Sequence, residues 1–415
     1  MWPLREKPMT LSTFVMTPGP TEMPLRVLKA LMKPAITPGD PEFMKVCDDT
    51  AERLQTILGT ANEIAIFPGS GRVAVESAIC SIVEPGDRVL TVNNGVFGHW
   101  LGLTVSQARG ENVELATEWR RSIDPEQIRQ KLRSEKAIKM VAVVHNETST
   151  GVVNPIGEIG EIVKEYGALY MVDVVSSAAG DLVKADERRI DLACTCCYKC
   201  MNCPPGLGMV AVSQDAWAVM AKRKVRQSFS FDLYKYVEMW IPKERGGKEI
   251  WGHRRHVVEP APQLTYAMNE GLKVILEEGL EERCRKNRVA GKAIRAAVKA
   301  LGLETYPLDE RSASNTVTAI LNPEGMKNAA IIETMRKEYG VIIGGALEEV
   351  AGKILRLAHM SGTSDEMHVL YAVRALENTL IKQGYKLEAG AGVAAARAVF
   401  DNEKISGEDR ADAGN

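Results

Sequence analysis

The 415-residue chain contains no run of about 18 consecutive apolar residues, so it offers no candidate membrane-spanning helix. Excess charge is missing as well. The formal net charge is −2, whereas a protein that tracks a phosphate backbone usually carries a strongly basic footprint. Neither nucleic acid nor a membrane is therefore an expected partner. Met1 to Pro8 lack an apolar core and do not read as a signal peptide, and Ala413-Gly414-Asn415 is not a peroxisomal tripeptide. No internal repeat stands out. The expected compartment is the cytoplasm, and eight cysteines suit that reducing setting better than an oxidising one.

Hydrophobic residues make up 45% of the chain and charged residues 26%, the balance of a globular protein long enough for two domains. From Glu63 to Ser213 β-rich segments alternate with helical ones. Strands are predicted at Ile64–Phe67, Arg88–Val92, Val141–Val144, Leu169–Val175 and Leu207–Val212, with helices at Arg72–Ile82 and Ile159–Tyr166. Their continuous apolar runs suit a parallel sheet covered on both faces. Ser228 to Gly252 turns aromatic and charged without a period and reads as an excursion over the surface or an interface. Tyr266–Leu301 is helical. A small α/β domain follows, with strands at Thr316–Leu321 and Ile354–Ala358 and helices near Ala329–Tyr339 and Ser364–Leu380. The expected division is 1–270 for a large domain with the N-terminal segment, 271–390 for a small domain, and 391–415 for a final helix and tail.

Three features could carry chemistry. Asp173 is the lone carboxylate in an apolar strand, where an unpaired charge is expensive unless something meets it. Gly69-Ser70-Gly71-Arg72 lies between a predicted strand and a predicted helix. It reads either as a phosphate cradle at a helix N-terminus or as a plain turn. Lys199 stands between a β-like run and the rigid Pro204-Pro205-Gly206 turn, and lysine is the side chain that forms a Schiff base with an aldehyde. Around it Cys194, Cys197, Cys200 and Cys203 recur every third residue and end in Cys-Pro. That spacing approaches an iron–sulfur ligand run; buried cysteines acting as small hydrophobes are the other reading.

The order of Thr17-Pro18-Gly19-Pro20-Thr21, Gly69-Ser70-Gly71-Arg72, Asn94-Gly95-Val96-Phe97-Gly98 and His145-Asn146-Glu147-Thr148-Ser149-Thr150-Gly151 continues through Val172-Asp173-Val174-Val175-Ser176-Ser177, Lys199 to Leu207, and Arg356-Leu357-Ala358-His359-Met360. With these motifs the chain resembles the class V, fold-type I aminotransferases of the alanine–glyoxylate, serine–glyoxylate and pyridoxamine–pyruvate group. The resemblance implies an α/β fold-type I transferase with a mainly parallel seven-stranded sheet in the large domain and a smaller C-terminal α/β domain. It implies a homodimer that uses pyridoxal 5′-phosphate, a small amino-acid or amine donor and a 2-oxo acid acceptor, glyoxylate or pyruvate. By the same resemblance Lys199 holds the cofactor aldehyde and Asp173 pairs with the pyridine nitrogen. Phe97 and Val175 pack on the two ring faces, and Thr148 lies near the 3-hydroxyl. Ser70, Gly71, Arg72 and Tyr198, with His256 and Glu259 of the partner protomer, surround the phosphate. Arg356 and Gly19 meet the substrate, Arg356 as a carboxylate clamp. No metal is implied.

Three departures from the family pattern matter. Tyr198 stands where Gln or Asn is usual, Glu259 where a hydroxyl would meet the phosphate, and Thr37-Pro38-Gly39-Asp40-Pro41 replaces a His-containing substrate wall. The altered phosphate cradle leaves a pyridoxamine–pyruvate transaminase as an alternative, and the cysteine cluster leaves a lyase or desulfurase on the same fold. Trp251, His253, Arg254 and Arg255 read as a second anion site or as a solvated patch.

Overall fold

The computed structural model describes residues 13–34 and 36–412. The leader reading of Met1 to Pro8 and the C-terminal tripeptide lie outside them. Seven strands form the central sheet: β1 (Glu63–Gly69), β2 (Arg88–Asn93), β3 (Glu111–Ala116), β4 (Ile138–Val144), β5 (Leu169–Asp173), β6 (Leu192–Cys196) and β7 (Gly206–Val212). Their order across the sheet is β1-β7-β6-β5-β4-β2-β3. β7 runs antiparallel to both its neighbours and all other pairs are parallel. The expected seven-stranded, mainly parallel sheet is present.

Why these runs bury both faces follows from the two-residue side-chain period. Val141 and Val143 of β4 and Tyr170 and Val172 of β5 enter one hydrophobic core, while Met140, Ala142, Val144, Leu169 and Met171 enter the core on the opposite face. The second of these cores contains fully buried Phe43 from the helix Pro41–Leu58. Truncating such a ring to alanine costs about 3–5 kcal/mol.

One strand of this sheet has no counterpart in the sequence reading, and the β-like run before Lys199 takes exact bounds as β6. β3 is an edge strand whose residues are mostly open to solvent, so Glu111, Asn112 and Glu114 blur its apolar pattern. β6, Leu-Ala-Cys-Thr-Cys, is fully buried, which places Cys194 and Cys196 as small apolar strand residues ahead of Lys199. The Ser228–Gly252 excursion also differs from expectation. It contains a helix, Tyr234–Met239, and Leu233, Tyr236, Val237, Trp240 and Ile241 pack into the core of the sheet. A buried ion pair, Arg223 to Asp232 at 2.7 Å, anchors its start.

A separate core forms around the antiparallel strands Val317–Leu321 and Ile354–Ala358 and the helices Leu280–Ala300, Asn328–Tyr339 and Glu366–Lys382. The C-terminal helix Ala391–Asp412 joins it through Ala396 and Phe400. Buried Glu377 accepts the Gly392 N–H at 2.8 Å and so fixes the start of that helix. A short strand near the N-terminus, Phe14–Met16, pairs in parallel with Val341–Ile343 of this same core.

Candidate active site

The carboxyl ends of β1, β2, β4, β5 and β6 lie along one edge of the sheet, the edge at which open α/β sheets bind ligands. Asp173 is the last residue of β5 and is buried. Burial pushes its carboxyl up to about 7, and the nearby Glu147 charge adds to the rise; the Val175 N–H, donating to Oδ1 at 2.8 Å, opposes it. A carboxylate this destabilised calls for a cation.

Lys199 follows β6 by three residues and is largely buried. Burial holds its ammonium below the ordinary lysine value, and the positive charge of Arg356 acts the same way. Nζ donates to the Pro18 carbonyl. Gly19 makes this approach possible: its φ is +110°, and a Cβ there would fall 2.6 to 2.8 Å from the outer atoms of the Lys199 side chain. The described structure therefore brings the N-terminal Pro18-Gly19 turn directly onto the lysine.

The glycine loop is placed by β1 and the helix Gly71–Ile82. Ser70 is the N-cap residue, yet its side chain makes no capping hydrogen bond. The Gly71 N–H donates to the Tyr198 hydroxyl at 3.3 Å, and a Cβ on Gly71 would sit 2.5 Å from Val175 Cγ2. Arg72 lies over the Trp100 ring at 5.1 Å, and Trp100 meets Phe97 edge to face at 5.4 Å. Arg72, Phe97, Trp100 and Asp173 share the lining of one cavity of about 390 Å³.

Glu147, within the His145–Gly151 motif, shows its role only in the folded chain. Fully buried, it accepts the Gly98 N–H at 2.9 Å and the Ser149 N–H at 3.0 Å, so one carboxylate ties the first turn of the helix Val96–Gln107, which carries Phe97, to the Thr148 loop. Thr148 donates its hydroxyl to Ser176 Oγ at 2.6 Å. The Thr148 carbonyl accepts from Arg356 Nη1 at 2.9 Å, and Arg356 Nε donates to the Gly345 carbonyl at 2.7 Å. Among the described residues Arg356 forms no ion pair, although it is buried deeply enough that its guanidinium falls to about 10.

His256 and Glu259 stand apart from this cluster. The His256 ring stacks on Trp240 at 4.3 Å, and Nε2 lies 3.2 Å from the Pro38 carbonyl; burial lowers it to about 4. Glu259 is exposed. Cys194, Cys196, Cys197, Cys200 and Cys203 are buried, and among the described residues no group of three or more His, Cys, Asp or Glu side chains is placed to hold a metal ion.

The aminotransferase class-V family model matches residues 16–244. The chain belongs to this family. An uncharacterised aminotransferase of Methanocaldococcus jannaschii is 37% identical, with 94% of this chain and 98% of the relative covered. A serine–glyoxylate aminotransferase of Methylorubrum extorquens is 36% identical over 91% of this chain and 94% of its own. Among solved structures, the pyridoxamine–pyruvate aminotransferase of Mesorhizobium loti superposes with a TM-score of 0.89 at 28% identity, covering 96% of this chain and 99% of that one.

Class-V aminotransferases of this fold are pyridoxal phosphate enzymes, and that is the cofactor of this chain. The residues present fit it. A buried carboxyl without a formal partner suits a ring nitrogen that must keep its proton, and a lysine whose charge is disfavoured suits an aldehyde. The uncapped start of the Gly71–Ile82 helix suits a phosphate.

Proposed function

We propose that this aminotransferase moves an amino group from a small amino acid or amine to glyoxylate or pyruvate in two half-reactions of a ping-pong cycle. Arg356 carries this reading. A buried guanidinium oriented by two backbone carbonyls, with no carboxylate of its own, is built to receive one from a ligand, and every amino or 2-oxo acid brings one.

Bound pyridoxal phosphate supplies the aldehyde that takes up the amine and a ring that withdraws electrons from its Cα. In this reading Asp173 holds the proton on the pyridine nitrogen. Lys199 Nζ, kept easily deprotonated by burial and by Arg356, lifts the proton from the substrate Cα and acts as general base. Phe97, steadied by Trp100 and by Glu147, would cover one face of the ring and Val175 the other. Thr148 orients the ring through its hydroxyl. Ser70, Gly71, Arg72 and Tyr198 meet the phosphate, while Gly19 leaves the space in which substrate and lysine exchange places.

In this reading His256 approaches the phosphate of a second protomer in a homodimer, and Glu259 stands beside it, where its carboxylate needs a neighbouring arginine to offset repulsion of the dianion. Phe229, Ile250 and Trp251 support the homodimer: all three are large apolar side chains exposed on the same stretch of chain. Free cysteines throughout the described residues suit the cytoplasm.

A second reading, transamination of pyridoxamine, is favoured by Tyr198. Its hydroxyl already occupies the Gly71 N–H that a phosphate would otherwise take. The lyase or desulfurase reading is disfavoured because burial pushes the Cys200 thiol up to about 12, far from a reactive thiolate.

The test mixes purified enzyme with single amines and no acceptor, following loss of the cofactor's visible absorbance, and then restores it with glyoxylate or pyruvate. Serine, alanine or a related small amine should discharge the colour. A response to pyridoxamine alone, with no phosphate in the extracted chromophore, would instead establish the second reading. Ammonia or sulfide release without any 2-oxo acid would overturn both.

A further inference from the structure

A cavity of about 720 Å³ lies between the end of β4, the first turn of the helix Ile156–Glu165 and the helix Leu280–Ala300. None of its lining residues belongs to the site described above. We propose that it binds a small multiply charged oxyanion, of the phosphate or polycarboxylate type, as a second ligand of the enzyme.

Three independent features converge there. First, five basic side chains line the cavity against three acidic ones. Two of the acids are engaged: Asp181 accepts from Asn315 at 3.0 Å, and Glu310 pairs with Arg295 at 3.4 Å. Glu158 is the exposed third. Lys292 and Arg311 pair outside the lining with Glu403 at 3.5 Å and Asp309 at 2.8 Å, whereas Arg188 and Arg288 form no ion pair among the described residues and line the space with guanidinium donors left for a ligand.

Second, the Ile156–Glu165 helix opens into the cavity with Pro155 at its N-cap and no side-chain capping bond. The Ile156 N–H is taken by the Asn154 carbonyl at 2.9 Å, which leaves the Gly157 and Glu158 N–H groups, unpaired among the described residues, and the positive end of the dipole available to an anion. Arg188 lies against this turn, its Cγ 3.6 Å from where a Gly157 Cβ would be. Third, His145 is 4% exposed and lines the same cavity. Its Nδ1 is bonded to Ser177 Oγ at 2.9 Å, which leaves the Nε2 edge without a hydrogen-bond partner among the described residues. A ligand oxygen would satisfy it.

Calorimetric titration of the cofactor-loaded enzyme with inorganic phosphate, and separately with succinate, tests the site while the cofactor's own phosphate cradle is filled. Saturable binding of either, one per protomer, is expected, and whichever binds assigns the headgroup. The Arg188→Gln, Arg288→Gln double variant should weaken it at least tenfold, as should the exposed Arg288→Glu alone, with the cofactor spectrum unchanged. Affinity that survives these changes, or that disappears in Arg356→Gln instead, would place the anion in the substrate pocket and overturn the proposal. Absence of binding at low-millimolar concentrations of both probes would overturn it too.

Discussion

Arg356 Nη1 donates to the backbone carbonyl of Thr148 at 2.9 Å, joining residues 208 apart in the chain. Through this bond a strand of the smaller core orients its guanidinium from the loop that follows β4. The remaining donors are left for a ligand.

Replacing Arg356 by lysine keeps the charge and removes the planar fork. Hydrogen bonds to charged groups are worth about 1.5–3 kcal/mol, so kcat/KM for the amino acid should fall roughly 10- to 100-fold. Most of the loss should appear in KM, and the cofactor absorbance should persist. Steady-state kinetics check this, and an unchanged KM would remove Arg356 from substrate binding.

Asp173 predicts a pH dependence of the cofactor-free protein. Its folded carboxyl is raised to about 7, above the value for an unfolded aspartate, so the folded state binds the extra proton. The associated stability is fully present below about pH 4 and is lost as pH rises through about 7. In Asp173→Asn this loss disappears. The Tm difference between parent and variant, both without cofactor, should therefore shift against the parent across that window; a constant difference would contradict the burial argument.

Gly19→Ala puts a Cβ into the Lys199 side chain at a left-handed φ. Strain of this kind is on the order of 1–3 kcal/mol. Pyridoxal phosphate titrated into the cofactor-free variant should bind about tenfold more weakly or worse, read from the growth of visible absorbance. Parental affinity would show that the turn gives way.

Tyr198→Phe removes the acceptor of the Gly71 N–H. The cofactor-free protein should lose about 1 kcal/mol, while the loaded enzyme should lose less if a phosphate oxygen replaces the hydroxyl. Thermal unfolding of both forms distinguishes this from the pyridoxamine reading, in which the two losses are equal.

The sheet was legible where burial on two faces left unbroken apolar runs, as in β4 and β5, and illegible where a strand is solvated on an edge, as in β3. Asp173 and Lys199 could be singled out because a charge among apolar residues requires a partner. Glu147 could not, because its burial is produced by the Gly95 and Ser149 loops folding over it; a Cβ at Gly95 would lie 2.3 Å from its Cγ. Nor does local sequence foretell the Thr148–Arg356 bond or the stacking of His256 on Trp240, since both join distant segments. The basic cavity likewise exists only once Arg188 and Arg288 are folded together.

The strand Phe14–Met16 is hydrogen-bonded to Val341–Ile343, and just beyond it Pro18 and Gly19 rest on Lys199, which is rooted in the large sheet. Pro18 is also wedged against Gly344, where a Cβ would come within 2.7 Å of its ring. The lysine thus has its floor in one core and its roof in the other. Any sliding of the two cores raises or lowers that roof, which makes access to Lys199 and the relative position of the cores a single mechanical coordinate.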